Sequence, residues 1–383
     1  MELKNVGILD FARSPISKAK KGKLLALTPL EIAHQVVTQL LARNEGLPLE
    51  RIESVVCGTA YPEAEQGLNI GRQIAIKCGL PVSVAGITVN QFCASSQQAV
   101  MMLADAFACG KGDIGIAVGM EHMARIPQGG YNPSFDPELY EKNFYISMGD
   151  TAEVLAREGP ISREDQEAFA MESHRKALAA WADGAFAREV VPIRLPDGSL
   201  AERDEFPREP DPEKIKSLKP AFDAQGTVTA ATSSPISIGV GAAIVMTEEA
   251  AQALGVKLRA TIEGTAVAGC DYERMGLGPI PATEKVLART GLSLGDMDVI
   301  ELNEAFAAQS LAVIRQGGWT DYVDRINVLG GALALGHPLG MSGVRIIGTA
   351  ITALERCGGT YALATMCVGG GQGASTVLKR VGA

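Results

Sequence analysis

Three segments near the carboxyl end hold the residues best suited to covalent chemistry: NEAFAAQ from Asn303 to Gln309, GGALALGHPLGMSG from Gly330 to Gly343, and MCVGGGQG from Met366 to Gly373. Within about seventy residues they offer an amide, an imidazole and a thiol beside glycine-rich turns. That set suits reversible acyl transfer through a thioester.

A fourth segment, VNQFCASSQQAV, sets Cys93 between a strand-like ITVN and the helical run SSQQAVMMLADAFA. At a helix amino terminus the dipole and free amides stabilise a thiolate and are expected to pull the thiol pKa down. The competing reading is a buried thiol packed under that helix. His337 stands in GHPLG, a tight turn that a core histidine would not require, and reads as a base or proton shuttle. His34 and His174 sit in ordinary helical patterns. Cys367 precedes Gly369, Gly370 and Gly371, where the chain can bend and bring N–H groups near a substrate oxygen, or where a strand simply ends. For Asn303, between the strand DVIEL and the next helix, capping that helix is as compatible with the spacing as catalysis.

The elements that must position these groups alternate. Short β-rich runs such as ESVVCG, GIAVGM, DVIEL and YALATM lie between helical patterns, which argues for an α/β architecture. The chain also echoes itself. LARNEGLPLERIESVV from Leu41 returns as LARTGLSLGDMDVIEL from Leu287, and GDIGIAVGMEHM from Gly112 as GTYALATMCVGG from Gly359, so two similar units are expected. Between them, from about His122 to Pro235, the composition turns polar, an excursion that still holds one clear helix, ISREDQEAFAMESHRKALAAWADG.

The 383 residues are 46% hydrophobic, ample for two or three packed cores. A net charge of -9 leaves no global basic field for nucleic acid or anionic membranes, so a polyanionic ligand needs a local basic pocket. No apolar stretch reaches the length that spans a bilayer, and the first residues read as a strand rather than a secretory signal. The expectation is a soluble cytoplasmic protein whose seven cysteines, without a CxxC pair, are mostly reduced core thiols.

Taken in order, NxxCxSSxQA at Asn90 to Ala99, SMGDTAE, PAFDAQGTVTA, MGLGPIPA, NEAFAAQ, GGALALGHPLG and MCVGGGQG resemble the thiolase family over essentially the whole chain. The resemblance implies two βαβαβαββ halves packed as a five-layered αβαβα core. The first half would comprise 1–121 with 237–257, the second 258–383, and 122–236 would form a loop domain covering coenzyme A. It implies that Cys93 takes the acyl group, that His337 activates it, and that Cys367 moves the proton of the acetyl methyl carbon. Asn303, through a water, with His337 would hold one developing oxyanion, and the amides of Cys93 and Gly369 the other. Met148, Arg208, Phe222, Ala230, Ser234, Met275 and Phe306 would contact the coenzyme, although Arg208 stands one residue closer to Phe222 than in the family pattern.

The implied reaction is thiolytic cleavage of 3-ketoacyl-CoA, with acyl-CoA and coenzyme A as substrates and no metal or other cofactor. EAEQGLNIGR and the Ser95–Ser96 pair resemble degradative members. Condensation of two acetyl-CoA molecules is the alternative, and a non-catalytic acyl-CoA or lipid-binding protein is the alternative of another class, against which the complete Cys93, Asn303, His337 and Cys367 set argues. A ketosynthase acting on carrier-protein substrates would replace the Cys367 region with histidine. A homodimer or homotetramer, with the strand near Cys93 at or near the dimer contact, and a hydratase/dehydrogenase partner are further implications. The chain departs from the family at Gln91, at Ser147 and in SPISIGVGAA from Ser234.

Overall fold

The computed structural model describes residues 3–382; Met1, Glu2 and Ala383, the outer ends of the two expected halves, lie outside them. The strands are β1 (Val6–Arg13), β2 (Ser17–Lys18), β3 (Ile52–Gly58), β4 (Ala85–Val89), β5 (Ile114–His122), β6 (Ile193–Arg194), β7 (Leu200–Ala201), β8 (Ser237–Thr247), β9 (Ala260–Gly269), β10 (Val299–Leu302), β11 (Tyr361–Val368) and β12 (Gln372–Arg380). The helices are α1 (Pro29–Ala42), α2 (Ile70–Lys77), α3 (Ser95–Ala108), α4 (Pro137–Glu141), α5 (Met148–Glu158), α6 (Arg163–Ala182), α7 (Pro212–Lys216), α8 (Glu248–Leu254), α9 (Pro279–Thr290), α10 (Ala307–Gln316), α11 (Ala332–Leu335) and α12 (Ser342–Cys357).

Local chemistry accounts for many of these bounds. Thr28 and Glu31 close a capping box ahead of Pro29, and Ser162 caps α6. By contrast, α3 and α12 begin at Ala94 and Met341 without a side-chain cap, so their first amides look to other partners.

Strand alternation then sorts side chains into layers. In the first half, Leu9, Val55, Ile116, Val118, Val240 and Ile244 join α1 and α2 in one core, whereas Ile8, Phe11, Val56, Ala117, Ala243 and Val245 face the other way. That second face shares a core with α3, α12 and, from the other half, Ala362, Ala364, Met366 and Ala374. The opposite face of the second half, with Ile300, Leu302, Leu363 and Val377, packs on α9 and α10. Five layers result, helix, sheet, helix, sheet, helix, with α3 and α12 in the middle. Pairing of Gly7 and Ile8 with Thr261 and Ala260 joins the two halves into one ten-stranded mixed sheet, ordered β10-β11-β12-β9-β1-β8-β5-β3-β4 with β2 paired to β8 off this path.

The repeated sequences occupy matching elements: the ends of α1 and α9 leading into β3 and β10, and β5 and β11 following α3 and α12. One strand lacks its counterpart. Where β4 flanks β3, only an isolated parallel bridge from Ile326 to Ile300 flanks β10. The Asn327 side chain takes over there, accepting from the Leu302 amide and donating to the Leu302 carbonyl, both at 2.8 Å, so it replaces the ladder a strand would form. Residues 123–236 leave the sheet and carry α4 to α7 and the β6–β7 hairpin.

The middle layer is close-set where α3 and α12 start. A Cβ on Gly343 would lie 2.2 Å from the Gln97 backbone nitrogen, so only glycine permits this approach. Gly343→Ala is expected to cost about 1–3 kcal/mol through overpacking, read as a lower urea midpoint at unchanged m value.

Candidate active site

Cys93 lies in a single 3-10 turn, Phe92–Ala94, directly ahead of α3. That turn is strained, since Phe92 has φ 43°, a left-handed value that a bulky residue rarely adopts. Flanking side chains hold it. The Phe92 amide donates to Asn90 Oδ1 at 2.9 Å, the Gln91 amide donates to Ser95 Oγ at 2.9 Å, and the Ser95 hydroxyl donates to the Phe92 carbonyl at 2.7 Å. Thus the Asn and first Ser of the NxxCxS pattern shape the turn that presents the thiol. The second, Ser96, accepts from the Val344 amide of α12 at 2.9 Å and ties the two central helices together.

Expectation and structure part over the Cys93 pKa. Burial pushes the thiol up to about 12, and the amides of Gly369 and Cys93 itself, both directed at the sulfur, offset this only in part. A helix dipole acts across one turn, but desolvation acts on the whole charge, so the resting group is a thiol. Alkylation of Cys93 by iodoacetamide, followed on its own peptide, is therefore expected to rise about tenfold per pH unit from about pH 7 to about pH 9. A plateau below neutral pH would instead reveal a thiolate–imidazolium pair.

His337 is held at both ring nitrogens. Nδ1 lies 2.6 Å from Ser342 Oγ, and the Ser342 hydroxyl is 2.9 Å from the Pro338 carbonyl. That carbonyl can only accept, so the serine proton goes to it, and Nδ1 must carry the proton donated to Oγ. The lone pair is left on Nε2, which faces Asn303 Nδ2 at 3.4 Å. Burial, reinforced by the Arg345 charge, lowers the imidazole pKa to about 3, so His337 is neutral at neutral pH with a free lone pair on Nε2. Its loop is anchored at two points. The His337 amide donates to Ser237 Oγ at 3.2 Å, the Gly340 amide donates to the buried Glu121 carboxylate at 2.9 Å, and Glu121 also accepts from the Ala60 amide at 2.8 Å. Ser237 belongs to the departing SPISIGVGAA stretch, which therefore braces the histidine.

Asn303 is fully buried and does not cap α10, whose N-cap is Phe306; its amide engages His337 and Arg345 instead. The adjacent Glu304 accepts from Ser173, Asn327 and the Leu333 amide, which fastens the GGALALG segment behind the site. Cys367 ends β11 with no exposed surface, and burial together with neighbouring Cys93 and Cys270 raises its pKa well above the ordinary thiol value. Beyond it, Gly370 and Gly371 adopt φ 78° and 79°, the left-handed turn that brings the Gly369 amide to Cys93. Cys93, Cys367 and Gly369 thus meet at one point, and His337 pairs with Asn303.

Of the residues expected to contact the coenzyme, Met148, Met275 and Phe306 pack in one cluster with Cys367. Phe222 is exposed and meets Phe306 edge-on at 5.8 Å, and the Ser234 amide donates to the Ala305 carbonyl at 3.0 Å. Ala230 is exposed on the same 220–234 segment. Arg208 stands apart, exposed, with its guanidinium 3.5 Å from the Phe206 carbonyl of its own segment. Ser147, the second departure, caps α5 by accepting from the Asp150 amide at 3.2 Å. Gln91, the first, is left with a buried Oε1 that has no partner.

Sequence reasoning passed over Ser342, Arg345, Glu121 and Cys270. A signal existed for one: Arg345 is the single charge between Ser342 and Leu354 in an otherwise apolar and small-residue helix. The cysteines were read too uniformly. All seven are free, but Cys109 and Cys357 are exposed because they end α3 and α12 at the surface.

A doubled α/β scaffold that sinks two thiols against each other and points a neutral imidazole into the same layer defines a covalent acyl-transfer enzyme. Residues 6–249 match the family model for the thiolase N-terminal domain and residues 256–380 that for the thiolase C-terminal domain. The chain belongs to the thiolase family. It is 45% identical over 387 residues to a 3-ketoacyl-CoA thiolase of Acinetobacter baumannii (strain AYE), covering 99% of this chain and 98% of the relative. A 3-ketoacyl-CoA thiolase of Shewanella sp. (strain MR-7) is likewise 45% identical, over 99% and 100% of the two chains. Among solved structures, human mitochondrial 3-ketoacyl-CoA thiolase superposes over the full length of both chains with TM-score 0.91 at 32% identity. The same enzyme in complex with CoA gives TM-score 0.91 and 32% identity over 99% of each chain.

Proposed function

We propose that this protein cleaves 3-ketoacyl-CoA with coenzyme A, in fatty-acid degradation, to acetyl-CoA and a shortened acyl-CoA. The observation that carries the reading is the meeting of Cys93, Cys367 and the Gly369 amide beside the His337–Asn303 pair. Cys93 passes its proton to His337 Nε2 as sulfur attacks the 3-keto carbon. The carbon–carbon bond breaks, and Cys367 delivers its proton to the departing acetyl-CoA carbon. Coenzyme A then gives its thiol proton to the Cys367 thiolate and attacks the Cys93 thioester, and Cys93 leaves with the proton held on His337 as the shortened acyl-CoA is released. The raised pKa of Cys367 keeps it a proton donor until that moment, and no prosthetic group enters this sequence. The amides of Cys93 and Gly369 hold the thioester oxygen, and His337 with Asn303 the other. The relatives' names favour cleavage over condensation. Coenzyme A dependent cleavage of acetoacetyl-CoA and of a medium-chain 3-ketoacyl-CoA tests this: faster cleavage of the longer substrate is expected, and cleavage of neither would remove the reading.

The working form is proposed to be a homodimer, with a further pairing to a tetramer and a hydratase/dehydrogenase partner as open extensions. Among the described residues β4 pairs only with β3, and Ile87 on it, with Leu68, Ile76, Val82 and Phe92 in the flanking sequence, is exposed. A monomeric mass by size-exclusion chromatography with light scattering at micromolar concentration would refute this. Among the described residues no helix is long and apolar enough to cross a membrane. A cytoplasmic setting is proposed because seven unpaired cysteines suit a reducing compartment.

A further inference from the structure

Arg345 sits on α12 behind the site with 1% of its side chain exposed. Nη1 donates to Glu301 Oε2 at 2.9 Å and Nη2 to Asn303 Oδ1 at 3.4 Å. Its Nε and Glu301 Oε1 are buried without partners. As a stabilising device this is a poor pair, because an incompletely satisfied buried ion pair is matched or bettered by apolar residues of similar size. Its geometry is better explained by what it does to Asn303.

An asparagine amide can sit either way round, and here the choice matters. Arg345 can only donate, so the side facing it must be Oδ1, and Nδ2 is thereby turned to His337 Nε2. At the far end the Pro338 carbonyl can only accept. Between these two ends every hydrogen bond runs in one direction: Asn303 to Nε2, Nδ1 to Ser342, Ser342 to Pro338. Without the guanidinium the amide can turn, its oxygen would face Nε2, and the imidazole proton would be drawn from Nδ1 to Nε2. The base would then be occupied and the donor to the developing oxyanion replaced by an acceptor.

We propose that Arg345, clamped by Glu301, is a positioning residue that fixes the Asn303 amide with its nitrogen toward His337 and so keeps the His337 lone pair on Nε2. The kinetic consequence rests on the proposed thiolase reaction; the tautomer does not.

The test compares the parent, the paired variant Glu301→Leu with Arg345→Met, Asn303→Ala, and the triple variant. Replacing both ions avoids leaving one charge buried alone. The expected result is a kcat loss of about 10- to 100-fold in the paired variant with KM little changed, and no further loss when the pair is added to Asn303→Ala. Independently, 15N-histidine NMR, with His337 assigned by His337→Asn, should show the Nδ1–H form in the parent and Nε2–H gaining in the paired variant. Parental kcat, or an equal loss in both backgrounds, with an unchanged tautomer would overturn the proposal. No cleavage of ketoacyl-CoA by the parent, with the tautomer shift still seen between parent and paired variant, would remove the thiolytic reading and leave the role of Arg345 standing.

Discussion

Cys93→Ala is expected to lower thiolytic turnover by on the order of 10^4-fold, because the variant has no atom that can carry the acyl group between its two acceptors. The effect should fall on kcat and leave coenzyme A affinity little altered, since Met148, Met275 and Phe306, the proposed coenzyme contacts, cluster with Cys367. Cys93 is only 8% exposed and neighbours Gly369, so losing one sulfur removes the nucleophile without opening the surrounding loop to solvent. Steady-state cleavage of acetoacetyl-CoA, with intact-mass detection of the acyl-enzyme, measures both parts. Retention of more than about 1% of parental turnover would mean that another group carries the acyl chain.

Cys367→Ala separates the two chemical steps. Loss of a positioned proton donor should cost about 10^2- to 10^4-fold in carbon–carbon cleavage. Transfer of an acyl group from acyl-CoA to Cys93 involves no carbon protonation, so an acetyl adduct on Cys93 should still form from acetyl-CoA. Cleavage at the parental rate would assign the proton to a different group, with Cys270, the other thiol beside Cys367, the one to examine. If neither cleavage nor the adduct survived, Cys367 would be acting on Cys93 itself and not on the substrate carbon.

Much of this was legible in the chain. The repeat from Leu41 to Leu287 announced two related units, and the helix SSQQAVMMLADAFA appears as α3 with those same ends, because strand alternation and helix ends are local properties of sequence. The tight GHPLG turn singled out His337, whereas for Cys93, Asn303 and Cys367 a packed thiol, a helix cap and a strand end fitted the spacing as well, and their roles rested on the resemblance to the thiolase family.

The protonation states were not legible. The position of Cys93 ahead of α3 argued for a lowered thiol pKa, yet both halves of the sheet and α12 close around it, and desolvation outweighs a dipole that acts over one turn. Nor could spacing show that Asn303 serves His337 rather than capping α10. That depends on Arg345, forty-two residues later, reaching Nη2 to its carbonyl oxygen. The missing counterpart of β4 was likewise invisible, because Asn327 completes the β10 edge with a side chain where a strand was expected. The sequence by itself determined which atoms are available and which local elements carry them. Tertiary structure alone decided which of those atoms meet, which way their hydrogen bonds run and how much water is excluded, because these depend on contacts between separate segments, from tens to hundreds of residues apart.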